Sequence, residues 1–209
     1  VLVGGGGSFI KEKTMLSLGW IAITYLLGAV PFGLLVAKVC CGIDPRLEGS
    51  RNTGATNVAR LCGFKYGVLA LIGDLGKGFV PVLVAGMFSQ SKVFLGCVAL
   101  AAVLGHVYSV FLNGKGGKAV ATTVGVFLAL APWSTVISAL LLVVVVLASG
   151  YVSLGSLTLV TVLPILLVVT GEFTLAIFAA LIGVLVYWRH RDNIARLAVG
   201  EEKPWRKAH

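Results

Sequence analysis

The stretch Trp133–Ser149, WSTVISALLLVVVVLAS, is followed after Gly150-Tyr151-Val152-Ser153 by a second apolar run, LGSLTLVTVLPILLVVT, over residues 154–170. Neither run carries a charged side chain. About 20 apolar residues in a helix cross the roughly 30 Å of hydrocarbon in a bilayer, and somewhat fewer suffice where the bundle interior takes up the difference. Two such runs joined by a short link therefore read as consecutive membrane-spanning helices. The same ruler finds further spans at residues 16–39, 66–88, 93–112, 119–131 and 173–189, about seven in all, with the fourth, 119–131, the shortest. Of the whole chain, 58% is hydrophobic and 12% charged, which excludes an ordinary soluble domain. The fold expected is an all-α polytopic membrane bundle.

Organisation follows from what remains. Gly4-Gly5-Gly6-Gly7-Ser8 reads as a flexible linker, so residues 1–14 are expected to be an expression-tag remnant. No cleavable signal pattern is expected ahead of the first span, and residues 15–209 form a single integral-membrane domain without internal repeats. Cys40, Cys41, Cys62 and Cys97 lack the paired spacing of a zinc or haem site and read as small apolar side chains.

A net charge of +9 calls for anionic partners. Alternating the spans puts segments 40–65, 113–118, 150–153 and 190–209 on one side. Lys38, Arg46, Arg51, Arg60, Lys65, Lys115, Lys118, Arg189, Arg191, Arg196, Lys203, Arg206 and Lys207 lie at or near that side, whereas past the tag only Lys92 is opposite. By the positive-inside rule the cationic face is cytoplasmic, the N-terminus outside and the C-terminus inside. Cations tied to membrane loops favour lipid headgroups and phosphorylated substrates over nucleic acid.

Four blocks on that face carry the polar chemistry. The first, Gly49-Ser50-Arg51-Asn52-Thr53-Gly54-Ala55-Thr56-Asn57, continues to Arg60, and combines turn glycines with hydroxyls, amides and a bidentate guanidinium suited to phosphate or glycerol oxygens. In the second, Gly105-His106 precedes Asn113-Gly114-Lys115-Gly116-Gly117-Lys118-Ala119, a glycine-lysine loop opening a helix whose N-terminal amides and dipole favour an anion. It is not a nucleotide P-loop, because Ala119 stands where that motif needs Ser or Thr. The third is Tyr151 to Ser156, with hydroxyls at Ser153 and Ser156. The fourth is Arg189-His190-Arg191-Asp192-Asn193-Ile194-Ala195-Arg196, in which His190 and Asn193 share a helix face at i, i+3. Apart from these, Asp74 and Lys77 stand at i, i+3 inside an apolar span flanked by glycines, and are expected to form an ion pair that packs the bundle.

At Gly49-Ser50 with Asn52 and Gly54-Ala55-Thr56-Asn57, Gly105-His106 with Lys115-Gly116-Gly117-Lys118, Ser153 to Ser156, and His190 with Asn193-Ile194, Arg196-Leu197 and Gly200-Glu201, the chain resembles the bacterial membrane acyl-phosphate:glycerol-3-phosphate acyltransferases, the PlsY family. The resemblance runs from about Met15 to Glu202; Arg51, Thr53, Gly114 and Ala119 depart from the usual pattern. It implies a seven-helix fold in the bacterial cytoplasmic (inner) membrane, a site facing the cytoplasm, and synthesis of 1-acylglycerol 3-phosphate from glycerol 3-phosphate and long-chain acyl phosphate. Carried over by position, Ser50, Arg60, Lys118, His190 and Asn193 would be the catalytic, phosphate-holding set. Asn52, Thr56, Asn57, Gly114, Lys115, Gly116, Gly117, Ser153, Ser156 and Arg196 would line the substrate site. Membrane lipids are the remaining partners expected; no obligate protein partner is inferred.

A mixed anhydride has a good leaving group, so positioning and charge stabilisation should dominate. A histidine five residues ahead of an aspartate, an alternative acyltransferase design, is missing: His106 leads to Phe111 and His190 to Ala195. The carboxylates form no cluster suited to a divalent metal, so no metal and no cofactor is expected. The hydroxyl proton should pass to a substrate phosphate, or to a weakly basic His190. An organic-phosphate transporter would be expected to show repeats and a midplane site.

Overall fold

The computed structural model describes residues 6–205. Residues 1–5, and the side chains ahead of Thr14, lie outside the described residues, and most of the expected tag remnant falls there. Ten α-helices make up the described chain: α1 Gly6–Ala29, α2 Phe32–Cys41, α3 Ala55–Cys62, α4 Phe64–Phe88, α5 Lys92–Val107, α6 Val120–Leu130, α7 Pro132–Ser149, α8 Val152–Val169, α9 Phe173–Arg189 and α10 Arg191–Ala198. A 3₁₀ turn, Val110–Leu112, ends the α5 region.

All seven expected spans are apolar helical segments, and five of them have the length and composition to cross a membrane: Thr14–Cys41, Phe64–Phe88, Lys92–Leu112, Pro132–Ser149 and Val152–Val169. A sixth is added if α9 and α10, bent by 62° at His190, are taken as one broken span. The fourth expected span is α6, whose 11 residues rise only about 16 Å and cannot cross hydrocarbon alone. Pro31 interrupts the first span, because it lacks an N–H and disfavours helix at Val30.

The helices are arranged as lipid requires. On α7, Ser134, Thr135 and Ser138 are buried while Leu140, Val144 and Leu147 face outward. The Thr135 and Ser138 hydroxyls donate to carbonyls four residues back, at 2.9 and 2.8 Å. With hydrocarbon as solvent, apolar side chains gain nothing by turning inward, and hydroxyls must be satisfied locally. The core is built where α4, α5, α6, α8 and α9 meet, around Val82, Val103, Phe127, Leu163 and Ile182. Several helix pairs approach too closely for any side chain, and two of them bear on the site. A Cβ on Gly78 of α4 would strike the Thr122 carbonyl of α6, and one on Gly125 of α6 would strike the Leu75 carbonyl of α4. Gly28 and Gly105 do the same for α1 and α5.

Asp74 and Lys77 form the expected buried ion pair, at 2.7 Å. The Lys77 ammonium also donates to the Val30 carbonyl at 2.8 Å, at the very break Pro31 makes. Thr122 of α6 donates to the Asp74 carbonyl at 3.0 Å. The pair thus ties the broken first span to α4, and the Asp74 backbone joins α4 to α6. Removing one partner leaves a buried charge uncompensated, a loss of about 3–5 kcal/mol. Lys77→Met should lower the unfolding temperature in detergent strongly, and adding Asp74→Leu should recover part of it; a neutral Lys77→Met would show that the pair does not hold the bundle.

Candidate active site

The residues of the four blocks meet at one end of the bundle. At the other end the links at 89–92 and 171–172 are joined by Lys92 and Glu172, 2.6 Å apart.

The glycine-lysine loop is folded back onto the end of α5. Asn113 and Gly114 adopt left-handed backbone, φ 50° and 76°, so the chain reverses after the 3₁₀ turn. The N–H groups of Gly116 and Gly117 then donate to the carbonyls of Val107 and His106, at 3.0 and 3.2 Å. The Gly114 and Lys115 amides donate to Ser109 and Leu112, at 2.9 and 3.0 Å. Amides at 114–117 that composition alone would offer to an anion are therefore spent inside the protein, and the glycines serve close approach. From the other side Arg189 donates to the carbonyls of Gly116 and Gly117, at 2.8 and 3.2 Å. The loop leads into half-buried Lys118 and the start of α6, where Ala119, Thr122 and Thr123 are buried. Ala119 caps that helix in left-handed backbone, φ 62°, with no side-chain hydrogen bond to its amides. A first turn without a side-chain cap, at the positive end of a helix dipole, has the chemistry that suits an anion.

Lys118 donates to Asn193 Oδ1. Asn193 Nδ2 in turn donates to Glu202 Oε1, which also accepts from Ser153 Oγ at 2.7 Å. Arg196 Nε donates to Glu202 Oε2 at 2.7 Å. Burial is the largest influence on the Lys118 ammonium and lowers it to about 8, against the opposing pull of Glu202. Burial pushes the Glu202 carboxyl upward, but the donors from Asn193, Ser153 and Arg196 outweigh it and hold the group below the ordinary range. His190 sits buried at the bend between α9 and α10, and burial, with the Lys118 cation next, lowers it to about 4. Its Nδ1 lies 2.8 Å from the Val186 carbonyl, so Nδ1 carries the proton and Nε2 is an acceptor.

The first block joins this cluster through the C-terminal tail. Arg60 Nη2 donates to the Pro204 carbonyl at 3.3 Å, and the Trp205 amide donates to the Gly150 carbonyl at 3.0 Å. Within the block, Asn57 is buried and fully engaged. Its amide nitrogen reaches the carbonyls of Pro45, Glu48 and Asn52, at 2.9, 3.2 and 3.0 Å, and its oxygen accepts from the Ser50 amide at 2.8 Å. Asn57 pins the loop. Asn52 makes a local turn, its oxygen accepting from the Gly54 amide at 2.8 Å. Ser50 and Lys115 are exposed in their loops, and Thr56 is exposed in the first turn of α3. Ser156 is buried, and its hydroxyl donates to the Val152 carbonyl at 2.8 Å.

Glu202, on which Ser153, Asn193 and Arg196 converge, is not among the site residues expected from the sequence. Its one local signal is Gly200, whose φ of 73° turns the chain back so that the Glu201 amide meets the Arg196 carbonyl at 2.8 Å. Arg189 was read only as part of a cationic helix, and its grip on the loop carbonyls has no sequence signature.

Residues 18–200 match the family model described as Glycerol-3-phosphate acyltransferase. A protein of that description from Maridesulfovibrio salexigens is 55% identical over 193 residues, which cover 92% of this chain and 99% of that protein. Another, from Nitratidesulfovibrio vulgaris, is 60% identical over 193 residues but longer, so that the chain spans 59% of its length. Among solved structures, PlsY, an integral membrane glycerol 3-phosphate acyltransferase, is similar in its glycerol 3-phosphate form with a TM-score of 0.87 and 43% identity, over 90% of this chain and 94% of that one. Its lysophosphatidic acid form gives a TM-score of 0.85 at 42% identity over the same shares. A polytopic helical bundle with its cations gathered at one end, matched over nearly all its length in both sequence and structure, belongs to the glycerol-3-phosphate acyltransferase family.

Proposed function

We propose that the chain transfers a long-chain fatty acyl group from acyl phosphate to the 1-hydroxyl of glycerol 3-phosphate, giving 1-acylglycerol 3-phosphate and phosphate, with its site at the cytoplasmic face of a bacterial inner membrane. The observation that carries this reading is the joining of Lys118, Asn193 and Arg196, with Arg60 brought in by the tail, beside the open first turn of α6. Both substrates bear a phosphate, and the cluster has more cations than its one carboxylate can neutralise. The side on which these cations collect supports the cytoplasmic assignment.

In the reaction the glycerol hydroxyl oxygen attacks the acyl carbon, the bond from that carbon to the phosphate oxygen breaks, and phosphate departs with the electron pair. Charge develops on the leaving phosphate and on the carbonyl oxygen, where fixed cations and helix amides are most effective. The hydroxyl proton needs an acceptor. With its ring lowered to about 4, His190 is a weaker base than a phosphate group, whose second ionisation falls near 6. The proton therefore passes to a substrate phosphate, and His190 Nε2 serves as an acceptor that orients the hydroxyl. No metal enters this route, since the cluster's one carboxylate already accepts from three side chains.

Purified protein supplied with palmitoyl phosphate and glycerol 3-phosphate should release lysophosphatidate and phosphate in equal amounts; a folded sample yielding neither would refute the activity. Lys118→Ala should lower kcat/KM by about a hundredfold. Because the Lys118 cation is lost as pH rises through about 8, kcat/KM should fall on that alkaline limb, and Lys118→Arg, which keeps its charge, should move the limb upward. Treatment with EDTA should leave the rate unchanged; activity lost to EDTA and regained with magnesium would rule out the metal-free route.

A further inference from the structure

The Gly116-Gly117 turn rests on one buried side chain that the reaction scheme leaves unused. His106, in the last turn of α5, is buried. Its backbone carbonyl accepts the Gly117 amide at 3.2 Å, and the next carbonyl, Val107, accepts that of Gly116 at 3.0 Å. Its ring lies against the same turn, since a Cβ on Gly117 would collide with His106 Nε2. The ring is itself tethered. His106 Nδ1 stands 3.1 Å from Thr122 Oγ1 and 3.7 Å from Asp74 Oδ1. Thr122 Oγ1 donates to the Asp74 carbonyl, so its proton is committed and the imidazole Nδ1–H is left as the donor to the threonine oxygen.

We propose that His106 is a positioning residue for the phosphate site: its tethered ring is the floor on which Gly116 and Gly117 lie, and it thereby sets where Lys118 and the open turn of α6 stand. The turn is clamped between two side chains, His106 beneath its backbone and Arg189 on its carbonyls. Thr122 belongs to the first turn of α6, so one hydroxyl fixes both the floor and the helix whose amides face the anion. This also explains why a histidine stands there. A leucine would fill the space but leave Thr122 without its donor, and no hydrogen bond would then hold the side chain against the glycines.

The inference rests on the reading of Lys118 and the α6 start as a phosphate site. Its test therefore has one readout that needs no substrate. In His106→Leu, hydrogen exchange in a peptide covering 113–119 should quicken while one within 92–104 stays slow, because the amides of Gly116 and Gly117 lose the support beneath them. The KM for a phosphate-bearing substrate should rise about ten- to a hundredfold, the scale of a small misplacement at a distance, with a smaller change in kcat. Thr122→Val should act in the same direction, and the double variant should be less than additive, since both break one tether. His106→Asn, which can still donate to Thr122, should recover part of the loop protection. Unchanged exchange at 113–119, or exchange that quickens equally along α5, would overturn the positioning role. Quickened exchange confined to the loop with an unaltered KM for both substrates would instead overturn the phosphate reading, and the proposal with it.

Discussion

The carboxylate of Glu202 is the contact on which the site's assembly depends. Ser153 from α8 and Asn193 and Arg196 from α10 donate to it, and Lys118 from the loop joins through Asn193, so that two cations, Arg196 and Lys118, are drawn to one point. Without an anion there, the two cations would repel one another and the buried amide and hydroxyl would lack an acceptor. Hydrogen bonds to an ionised oxygen are shorter and stronger than neutral ones, so a single carboxylate organises several donors at once. Docking it also lays down the residues that follow. Pro204 meets Arg60, and the Trp205 amide meets the Gly150 carbonyl, so blocks far apart in the chain become one surface.

Beneath that surface the constraint is that lipid satisfies no polar backbone group. Breaks in helices are accordingly found where a side chain can answer them. At the break between α1 and α2, Lys77 takes the Val30 carbonyl and Ser109 donates to the Ala29 carbonyl at 2.6 Å. The end of α5 is answered by backbone amides of the glycine-lysine loop, which can come close because two of its residues lack side chains. The break in the first span and the shortness of α6 are thus supported by the elements that also form the site.

Apolar run length made the spans legible, because the hydrocarbon thickness sets a ruler that depends on little else. It was less informative at 119–131, where apolar residues continue beyond the helix: Ala119 is the left-handed cap and Ala131 a non-helical link, and apolar composition does not register dihedral angles. The four polar blocks were legible as blocks, since hydroxyls, amides and glycines stand out against apolar neighbours. Their internal division of labour was not. Asn57 has the chemistry of a substrate ligand and uses all of it on its own loop, whereas Glu202 looked like tail and sits at the centre. Asn57 bonds only to residues 5 to 12 positions away in its own loop, whereas the Glu202 cluster is closed by contacts between residues 49 or more apart, Ser153 with Glu202 and Lys118 with Asn193, which no local spacing encodes.

The electrostatic state of the cluster favours the proposed route, in which phosphate rather than a protein side chain takes the proton. Burial lowers Lys118 and His190 alike, and the Lys118 cation makes the charged form of His190 less favourable still. A histidine in that position cannot become an effective base without paying for a second cation beside the lysine. An entering phosphate changes the balance in the opposite sense: its negative charge stabilises the Lys118 ammonium and supplies oxygens more basic than the histidine. The arrangement is thus poor at storing a proton by itself and well suited to a substrate that brings its own acceptor. Neutral His190 then contributes geometry, and the cations contribute stabilisation of the departing phosphate, which are the two things a reactive anhydride still requires.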